Sequence, residues 1–301
     1  MNRIQFDREV ILAPHTSWLV GGPAEFFYQP RSEDDLIEAL SQARASRLPV
    51  NYLSGGSNVL VSDLGVRGLV IHLGKMSGLQ VEEDGSTLRI NCLAGTAKSE
   101  LLKIFLKYRL EPALFLAGLP GDVGGGVVMN AGIGEMLKPC EFVEITDWVE
   151  VIRDDLTKVR IQARDLKWSY RHCEGWRPGV ISRVGLSWPL VPQDDLLSKV
   201  KAANHVRLTK QPLELPSCGS VFVNPPGHKS GQLIESCGLK GYSVGGAQVS
   251  PKHANFVVNF NRAKASDIDA VIRHVQSEVL RLKGVELRTE VVYLGEWLCD
   301  P

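Results

Sequence analysis

The stretch from Gly118 to Gly132 constrains the fold more than any other, because six of its fifteen residues are glycine. Glycine adopts left-handed backbone conformations cheaply and lets a second backbone or a flat ligand approach closely, at an entropic cost in folding. Pro120-Gly121 marks a turn, and an apolar run at 127–129 follows, which predicts a turn leading into a short buried segment. Such a stretch is either a flexible connection or a cradle of N–H groups for phosphates or a cofactor ring.

A second glycine stretch favours the cradle. A strand-like run at 50–53 leads into the turn Gly55-Gly56-Ser57-Asn58, and an apolar run follows. Consecutive N–H groups in such a turn form an anion-binding nest. Neither stretch matches the dinucleotide fingerprint G-x-G-x-x-G or the P-loop, so the sequence predicts a nucleotide site on a different scaffold.

Composition narrows the class of protein. A length of 301 residues predicts about two domains, and 34 basic residues balance 34 acidic ones, which argues against nucleic acid or anionic lipid as a partner. The sequence has no run of 18 apolar residues, and its first residues lack the apolar core of a signal peptide. We therefore expect a soluble, cytoplasmic protein without an obligate protein partner.

The six cysteines are scattered, without a C-x-x-C pair or His-rich spacing. In a chain of this length they are interpreted as reduced thiols, and no metal site is expected.

The remaining pattern predicts an α+β fold. Ser32 caps a helix with Asp35 at its third position, Asp84-Gly85 turns a hairpin within 79–92, and Thr96 caps a second helix. Near the end of the chain a long helix is predicted from a cap at Ser266 to Gly284, followed by a strand over 285–293.

The pattern also predicts a division of the chain. A short leader covers 1–15, and one domain covers 16–190 in lobes of 16–77 and 78–190. A polar, proline-containing boundary at 190–196 precedes a second domain over 191–301.

Nine ordered motifs between residues 16 and 295 resemble the family of UDP-N-acetylenolpyruvoylglucosamine reductase (MurB, UDP-N-acetylmuramate dehydrogenase). They are Thr16–Ala24, Gly55–Asn58, Gly118–Gly132, Tyr170-Arg171, Lys210–Pro212, Gly219–Pro225, Gly238–Gly241, His253–Phe256 and Leu287–Val291. The modest length is similar to that of the shorter, type II subgroup.

The resemblance implies a two-lobed FAD-binding domain of the vanillyl-alcohol-oxidase (PCMH) type, followed by an α+β substrate-binding domain. It implies non-covalent FAD, with NADPH as hydride donor and an enolpyruvyl UDP-sugar as the small-molecule substrate of peptidoglycan synthesis. The residues that it implies for the cofactor are Gly55, Gly56, Ser57, Asn58, Gly118, Gly121, Gly124, Gly125, Asn130 and Gly132.

For catalysis the resemblance implies Arg171, Ser220 and Glu290. A guanidinium grips a carboxylate with two hydrogen bonds and favours extra charge on it. Ser220 matches the family's proton donor, and Glu290 matches the carboxylate that helps to stabilise the same intermediate. Tyr170, Lys210, Asn224 and Asn255 match substrate-binding positions.

The chain departs from the family pattern at two positions. Val223 replaces a usual lysine and Cys173 a usual serine, which affects the expected phosphate grip and the hydrogen bonding near Arg171. Two alternatives stay open. One is an FAD oxidase of the same scaffold acting on an alcohol or lactone, although the glycine turns offer no obvious His or Cys for a covalent flavin. The other is a flavin-binding scaffold protein without turnover.

Overall fold

The structure, a computed structural model, describes residues 4–133 and 138–297. Strands and helices are interspersed along these ranges, as the α+β prediction requires. The strands are β1 Asp7–Ile11, β2 Pro23–Tyr28, β3 Val50–Leu53, β4 Val59–Val61, β5 Val66–His72, β6 Leu79–Asp84, β7 Thr87–Leu93, β8 Thr146–Ile152, β9 Lys158–Gln162, β10 Lys167–Ser169, β11 His172–Glu174, β12 Val180–Pro189, β13 Ser243–Val244, β14 Ala247–Val249, β15 Val257–Asn259 and β16 Val292–Leu294. The α-helices are α1 Glu33–Ala45, α2 Lys98–Lys107, α3 Ala113–Leu116, α4 Val123–Val128, α5 Leu196–Lys210, α6 Ser230–Ser236 and α7 Ala265–Lys283.

The chain forms two compact units that are discontinuous in sequence. Unit 1 takes the described residues within 1–6, 27–55 and 69–205, and unit 2 those within 7–26, 56–68 and 206–301. The predicted domains, by contrast, are contiguous. The predicted leader includes β1, and its first three residues lie outside the described part of the chain.

Unit 1 is built around a five-stranded antiparallel sheet in the order β6-β7-β12-β8-β9. Helix α4 packs against β12 and β7, and the large side chains Phe105, Phe115 and Phe142 lie fully buried in the core. Beside it, β3 pairs in parallel with the residues 69–72 of β5. This sheet and its helices position the glycine-rich stretch at 118–132.

Unit 2 contains the antiparallel sheet β13-β14-β15, which is covered by α7. Five apolar residues of α7, at helical spacing, are buried in its core: Ile268, Val271, Ile272, Val275 and Val279. In the same unit β16 pairs in parallel with β4. No helix among the described residues combines the length and the apolar character needed to cross a membrane.

Local signals in the sequence place several element ends. The Ser32 hydroxyl accepts a hydrogen bond from the Asp35 N–H at 3.1 Å, which confirms the predicted cap of α1. Gly284 ends α7 with a φ of 66°, as predicted. The hairpin β6–β7 also forms, but Asp84 pairs with Thr87, so its loop is Gly85-Ser86 and the predicted turn is wrong by one residue.

Two predicted helix caps are wrong, because the Thr96 hydroxyl and the N–H groups at the start of α7 bond to other partners. Helix α2 follows Ala97, and the Thr96 hydroxyl exchanges hydrogen bonds with the backbone N–H and carbonyl of Gly78. Helix α7 begins before Ser266, since the Asp63 carboxylate accepts from the N–H groups of both Ala265 and Ser266. Asp63, distant in sequence, thus supplements the local contact of Asp267 with the Lys264 N–H, and Ser266 is not the cap.

The predicted strand over 285–293 is also largely wrong. Only β16, which begins at Val292, is a strand there, and Thr289 forms an isolated bridge with Phe222. The residues around Thr289 instead make single backbone contacts with the residues around Phe222. These contacts bring Glu290 close to the Ser220 segment.

Candidate functional site

Gly55, the first residue of one predicted glycine stretch, meets the other stretch, 118–132, in unit 1. A Cβ placed on Gly55 would lie 2.6 Å from the Cα of Gly121, which itself has a φ of +83°. The Ser54 hydroxyl donates to the Asp122 carboxylate at 2.8 Å, beside this contact. We call Gly55 together with Gly118–Gly132 the glycine cradle. Only glycine permits the two backbones to approach so closely.

The cradle contains a short helix, α4, where the sequence predicted a turn leading into a buried segment. Added Cβ atoms would lie 2.8 Å from the Ala94 Cβ at Gly124 and 2.5 Å from the Phe142 ring at Gly126. A Cβ on Gly125 would meet nothing within 4 Å. One face of α4 is therefore packed without side chains, and its Gly125 face is open.

Some backbone N–H groups of the cradle are already hydrogen-bonded within the protein. The N–H groups of Val123 and Gly124 donate to the carbonyls of Thr96 and Ala94, both at 2.8 Å. These two donors fix α4 in place and are not available to a bound anion. If the stretch forms an anion-binding nest, the donors must therefore be other backbone N–H groups of the stretch.

Asn130 joins the end of the cradle to the segment that precedes Arg171. Its side chain is buried and donates to the Glu141 carboxylate at 2.8 Å and to the Ser169 carbonyl at 3.1 Å, and it accepts from the Val143 N–H at 3.0 Å. These bonds hold Ser169, the last residue of β10, against the end of the cradle. Its predicted cofactor contact remains a prediction.

Arg171 lies at that same end. Its Nη2 donates to the Gly132 carbonyl at 2.9 Å, its Nη1 lies 3.5 Å from Glu141 Oε1, and its side chain is only 17% exposed. The guanidinium also covers the half-exposed ring of Tyr170 at 4.7 Å. Arg171 has a φ of +58°, a strained conformation that tertiary contacts must hold. The sequence prediction thus leads to a partly buried, oriented cation.

Cys173, the departure near Arg171, is buried in β11. Burial, with a smaller effect of Glu174, raises the pKa of its thiol to about 12, so the group stays neutral. The Cys173 thiol contacts the carbonyl of Glu174, whereas Arg171 donates a hydrogen bond to the Gly132 carbonyl and forms an ion pair with Glu141.

Unit 2 brings two of the predicted catalytic residues together. The Glu290 N–H donates to the carbonyl of Val221, the residue after Ser220, at 2.8 Å. Cys218 is buried, and burial first and the charge of Glu290 second raise its pKa, so the glutamate side chain lies near it. Gly219 has a φ of +86°, which turns the chain into Ser220. Ser220 and Glu290 are therefore neighbours on paired segments.

The side chains of Asn58 and Asn255 hydrogen-bond to the backbone beside this pair. The Asn58 amide donates to the Glu290 carbonyl at 2.7 Å. The Asn255 amide accepts from the Phe222 N–H at 2.9 Å and donates to the Phe222 carbonyl at 2.8 Å, in a buried position. Both side chains therefore fix the backbone around the predicted catalytic residues, and their predicted ligand contacts remain predictions.

The other predicted ligand residues are more exposed. Asn224 accepts from the Ser230 N–H at 3.0 Å, and Lys210 is exposed at the last turn of α5. Val223, the second departure, pairs its N–H with the Arg288 carbonyl. Gly118 is exposed with a φ of +79°. Gly56, followed by Ser57, allows a close approach of the His15 carbonyl, 2.0 Å from an added Cβ.

Sequence reasoning missed Lys98 and Glu141. Lys98 lies on the buried face of α2, where the spacing 98, 101, 105 predicts an apolar residue, and this misplaced charge was the available signal. Nothing in the sequence marked Glu141. In the described ranges 4–133 and 138–297, no group of three or more His, Cys, Asp or Glu could hold a metal ion.

Comparisons with known proteins agree with this geometry. The model of an FAD binding domain matches residues 24–161, and that of the C-terminal domain of UDP-N-acetylenolpyruvoylglucosamine reductase matches residues 211–294. The match to the FAD binding domain covers the whole cradle, whose face at Gly125 is open and whose Gly55–Gly121 approach excludes side chains. The chain is therefore an FAD-containing oxidoreductase with the predicted two-part, α+β fold class.

Relatives and a solved structure define the family. The reductases of Moorella thermoacetica and Myxococcus xanthus are 40% and 42% identical to this chain, each over 95% of it and over 92% and 91% of their own lengths. The crystal structure of UDP-N-acetylenolpyruvylglucosamine reductase (MurB) from Thermus caldophilus covers 96% of the chain and 99% of its own, with a TM-score of 0.77 and 30% identity. This chain belongs to the UDP-N-acetylenolpyruvoylglucosamine reductase family, which acts in the synthesis of peptidoglycan precursors.

Proposed function

We propose that this protein reduces UDP-N-acetylglucosamine enolpyruvate to UDP-N-acetylmuramate, with NADPH as the source of the hydride. The observation that carries the proposal is the oriented guanidinium of Arg171, which Gly132 and Glu141 hold at the end of the glycine cradle. A cation in this position is suited to a substrate carboxylate. Membership of the family supports the same substrate.

The cradle fits FAD. We propose that Gly55, Gly56, Ser57, Asn58, Gly118, Gly121, Gly124, Gly125, Asn130 and Gly132 form or support its site, directly or by positioning the backbone. Bound FAD would supply hydride transfer, which no side chain can supply. The protein contributes binding, orientation and charge.

Arg171 stabilises the charge that the reaction creates. Reduction of the enolpyruvyl double bond places negative charge on the carbon beside the carboxylate, and that charge spreads onto the carboxylate oxygens. A partly buried guanidinium stabilises this charge more than a fully solvated one would, because water screens it less. Glu141 positions Arg171 and does not itself touch the substrate in this proposal.

Ser220 then donates a proton to that carbon. A serine hydroxyl is a weak acid, but a carbanion is basic enough to accept its proton when the geometry is right. Glu290, next to the Ser220 segment, helps to stabilise the same intermediate. Tyr170, Lys210, Asn224 and Asn255 bind the rest of the UDP-sugar or hold the segments that do.

The test follows the flavin absorbance under anaerobic conditions. The FAD-loaded protein is reduced with NADPH, with NADH as a parallel donor, and UDP-N-acetylglucosamine enolpyruvate is then added. We expect the oxidised flavin spectrum to return rapidly. Reoxidation by oxygen but not by the enolpyruvyl sugar would favour an oxidase, and a protein that takes up no FAD would contradict the proposal.

The serine variant Ser220→Ala tests the proton donor. We expect it to be reduced by NADPH at the wild-type rate and to be reoxidised by the enolpyruvyl sugar at least about a hundredfold more slowly, the lower range of general acid catalysis. Ser243→Ala, an exposed serine of the same unit, should react like wild type. Unchanged reoxidation of Ser220→Ala would rule out the role of this hydroxyl.

A further inference from the structure

A buried lysine lies directly behind the glycine cradle. Lys98 is the first residue of α2 and is only 5% exposed. Its stem passes over Gly126, where an added Cβ would lie 2.9 Å from its Cε. Its Nζ donates to the Pro120 carbonyl at 2.8 Å, and its own N–H donates to the Gly121 carbonyl at 3.0 Å. The lysine thus holds both residues of the turn.

The described residues around the ammonium compensate only in part for its burial. An ammonium has three donors, and the acceptor found for Nζ in the described chain is the Pro120 carbonyl. The Phe142 ring centroid lies 5.9 Å away. Burying a charge is costly unless other groups compensate for it. A side chain that only packed against Gly126 would not need this charge.

Two charged groups act on Lys98, one from each neighbouring element. Asp122, at the start of α4, favours the charged form, and Arg171, between β10 and β11, opposes it. Burial is the largest effect, and together they lower the pKa of Lys98 to about 8. Ser54 hydrogen-bonds to Asp122, whose negative charge in turn acts on Lys98.

We propose that Lys98 is a cofactor-positioning residue: its ammonium fixes the Pro120-Gly121 turn and adds its positive charge to the binding of the FAD diphosphate. This inference rests on the proposed binding of FAD at the glycine cradle. The charge acts at short range in a site that water screens poorly, so it affects affinity more than a surface lysine would. Lys103, exposed on the same helix, lacks this setting.

The experiment measures the dissociation constant of FAD for the apoprotein by quenching of flavin fluorescence between pH 7 and 9.5. We expect Lys98→Met to bind FAD about ten- to a hundredfold more weakly at pH 7, the range for a hydrogen bond to a charged group. Wild type should lose affinity as the pH rises through about 8, where Lys98 loses its proton. Lys98→Met should lack this step, and Lys103→Met should match wild type.

The conservative variant separates charge from packing. Lys98→Arg keeps its charge over this range, so its FAD affinity should stay near the wild-type value at pH 7 and remain flat to pH 9.5. The melting temperature of the apoprotein gives a second readout, which should rise with pH where the affinity for FAD falls. The unfolded state binds more protons between the folded pKa of about 8 and the unfolded value of 10.5, so wild-type apoprotein should become more stable across that window.

Several outcomes would overturn the proposal. Wild-type affinity that is constant from pH 7 to 9.5 would do so whatever the variants show, and so would equal affinities of wild type and Lys98→Met. If Lys98→Met does not fold, a pH step in wild type without one in Lys98→Arg still supports the role, and the same step in both overturns it. A wild-type protein that binds no FAD overturns this inference together with the proposed function.

Discussion

The glycine cradle of unit 1 and the Ser220–Glu290 segments of unit 2 are held by different kinds of contact. Behind the cradle, charged side chains make the supporting contacts: Lys98 binds the Pro120 carbonyl, and Glu141 binds Asn130 and Arg171. Around Ser220, backbone pairing such as that of Glu290 with Val221 is supported by the neutral amides of Asn58 and Asn255. The cradle should therefore respond to charge and side-chain size, and the serine segment to the loss of these amide partners.

The largest effect is expected inside α4, where two adjacent glycines differ in surroundings. Gly126→Ala would place a Cβ 2.5 Å from the buried Phe142 ring, and we expect a loss of about 3 kcal/mol in the free energy of unfolding together with loss of FAD. Gly125→Ala, which meets nothing, should instead stabilise the apoprotein by up to about 1 kcal/mol. Urea denaturation of both apoproteins measures the difference, and equal values would contradict the packed face of α4.

In unit 2 the corresponding test removes a side chain that hydrogen-bonds to both the N–H and the carbonyl of Phe222. Asn255→Ala leaves a buried N–H and a carbonyl without their partner, and we expect a loss of about 2 kcal/mol and slower reoxidation by the enolpyruvyl sugar, with FAD binding retained. Asn224→Ala, an exposed asparagine of the same segment, should cost about 1 kcal/mol or less. Thermal unfolding and the flavin content of the purified variants check both expectations. Loss of FAD from Asn255→Ala would contradict the expectation that this side chain supports only the serine segment of unit 2.

A smaller, pH-dependent effect is expected from Glu33 of unit 1. Burial would raise its pKa, but hydrogen bonds from Arg183 and Ser182 outweigh burial and hold it at about 2. Because the folded pKa lies below the unfolded value of 4.5, this stability is present above pH 4.5 and is lost as the pH falls towards 2. The change should reach about 2 kcal/mol, since each pKa unit corresponds to about 1.4 kcal/mol and the group is partly exposed.

The control for this acid effect is the adjacent residue of α1. Glu33→Gln should flatten the decline of stability between pH 5 and 3 in chemical denaturation, whereas Asp34→Asn, which is exposed, should leave it as in wild type. Equal slopes in wild type and Glu33→Gln would show that the Glu33–Arg183 contact does not stabilise unit 1 through its charge.

Predictions made from local sequence succeeded where the physical cause is local. The Ser32 cap and the end of α7 at Gly284 depend on residues within a few positions of each other. They failed where a distant group competed, as at Ser266, where Asp63 supplies the cap. The helix α5 was not predicted, because only Leu196 and Val200 of its fifteen residues are buried and its apolar period is weak.

The site shows the same limit. Motifs allowed Arg171, Ser220 and Glu290 to be predicted as catalytic, because each motif carries its own residue types in order. Lys98 and Glu141 belong to no glycine motif, and their partners Pro120 and Arg171 lie 22 and 30 positions away. Only the folded chain brings such groups together.

By itself, the sequence determined the α+β class, the two glycine stretches and the family to which the chain belongs. Composition, periodicity and ordered motifs record these properties directly, because they depend on residue types and short spacings. The tertiary structure decided that Gly55 meets Gly121, that a buried ammonium lies behind their turn, and that Glu290 pairs with Val221. These contacts join residues far apart in the chain, and their energies depend on burial and close approach, which exist only after folding.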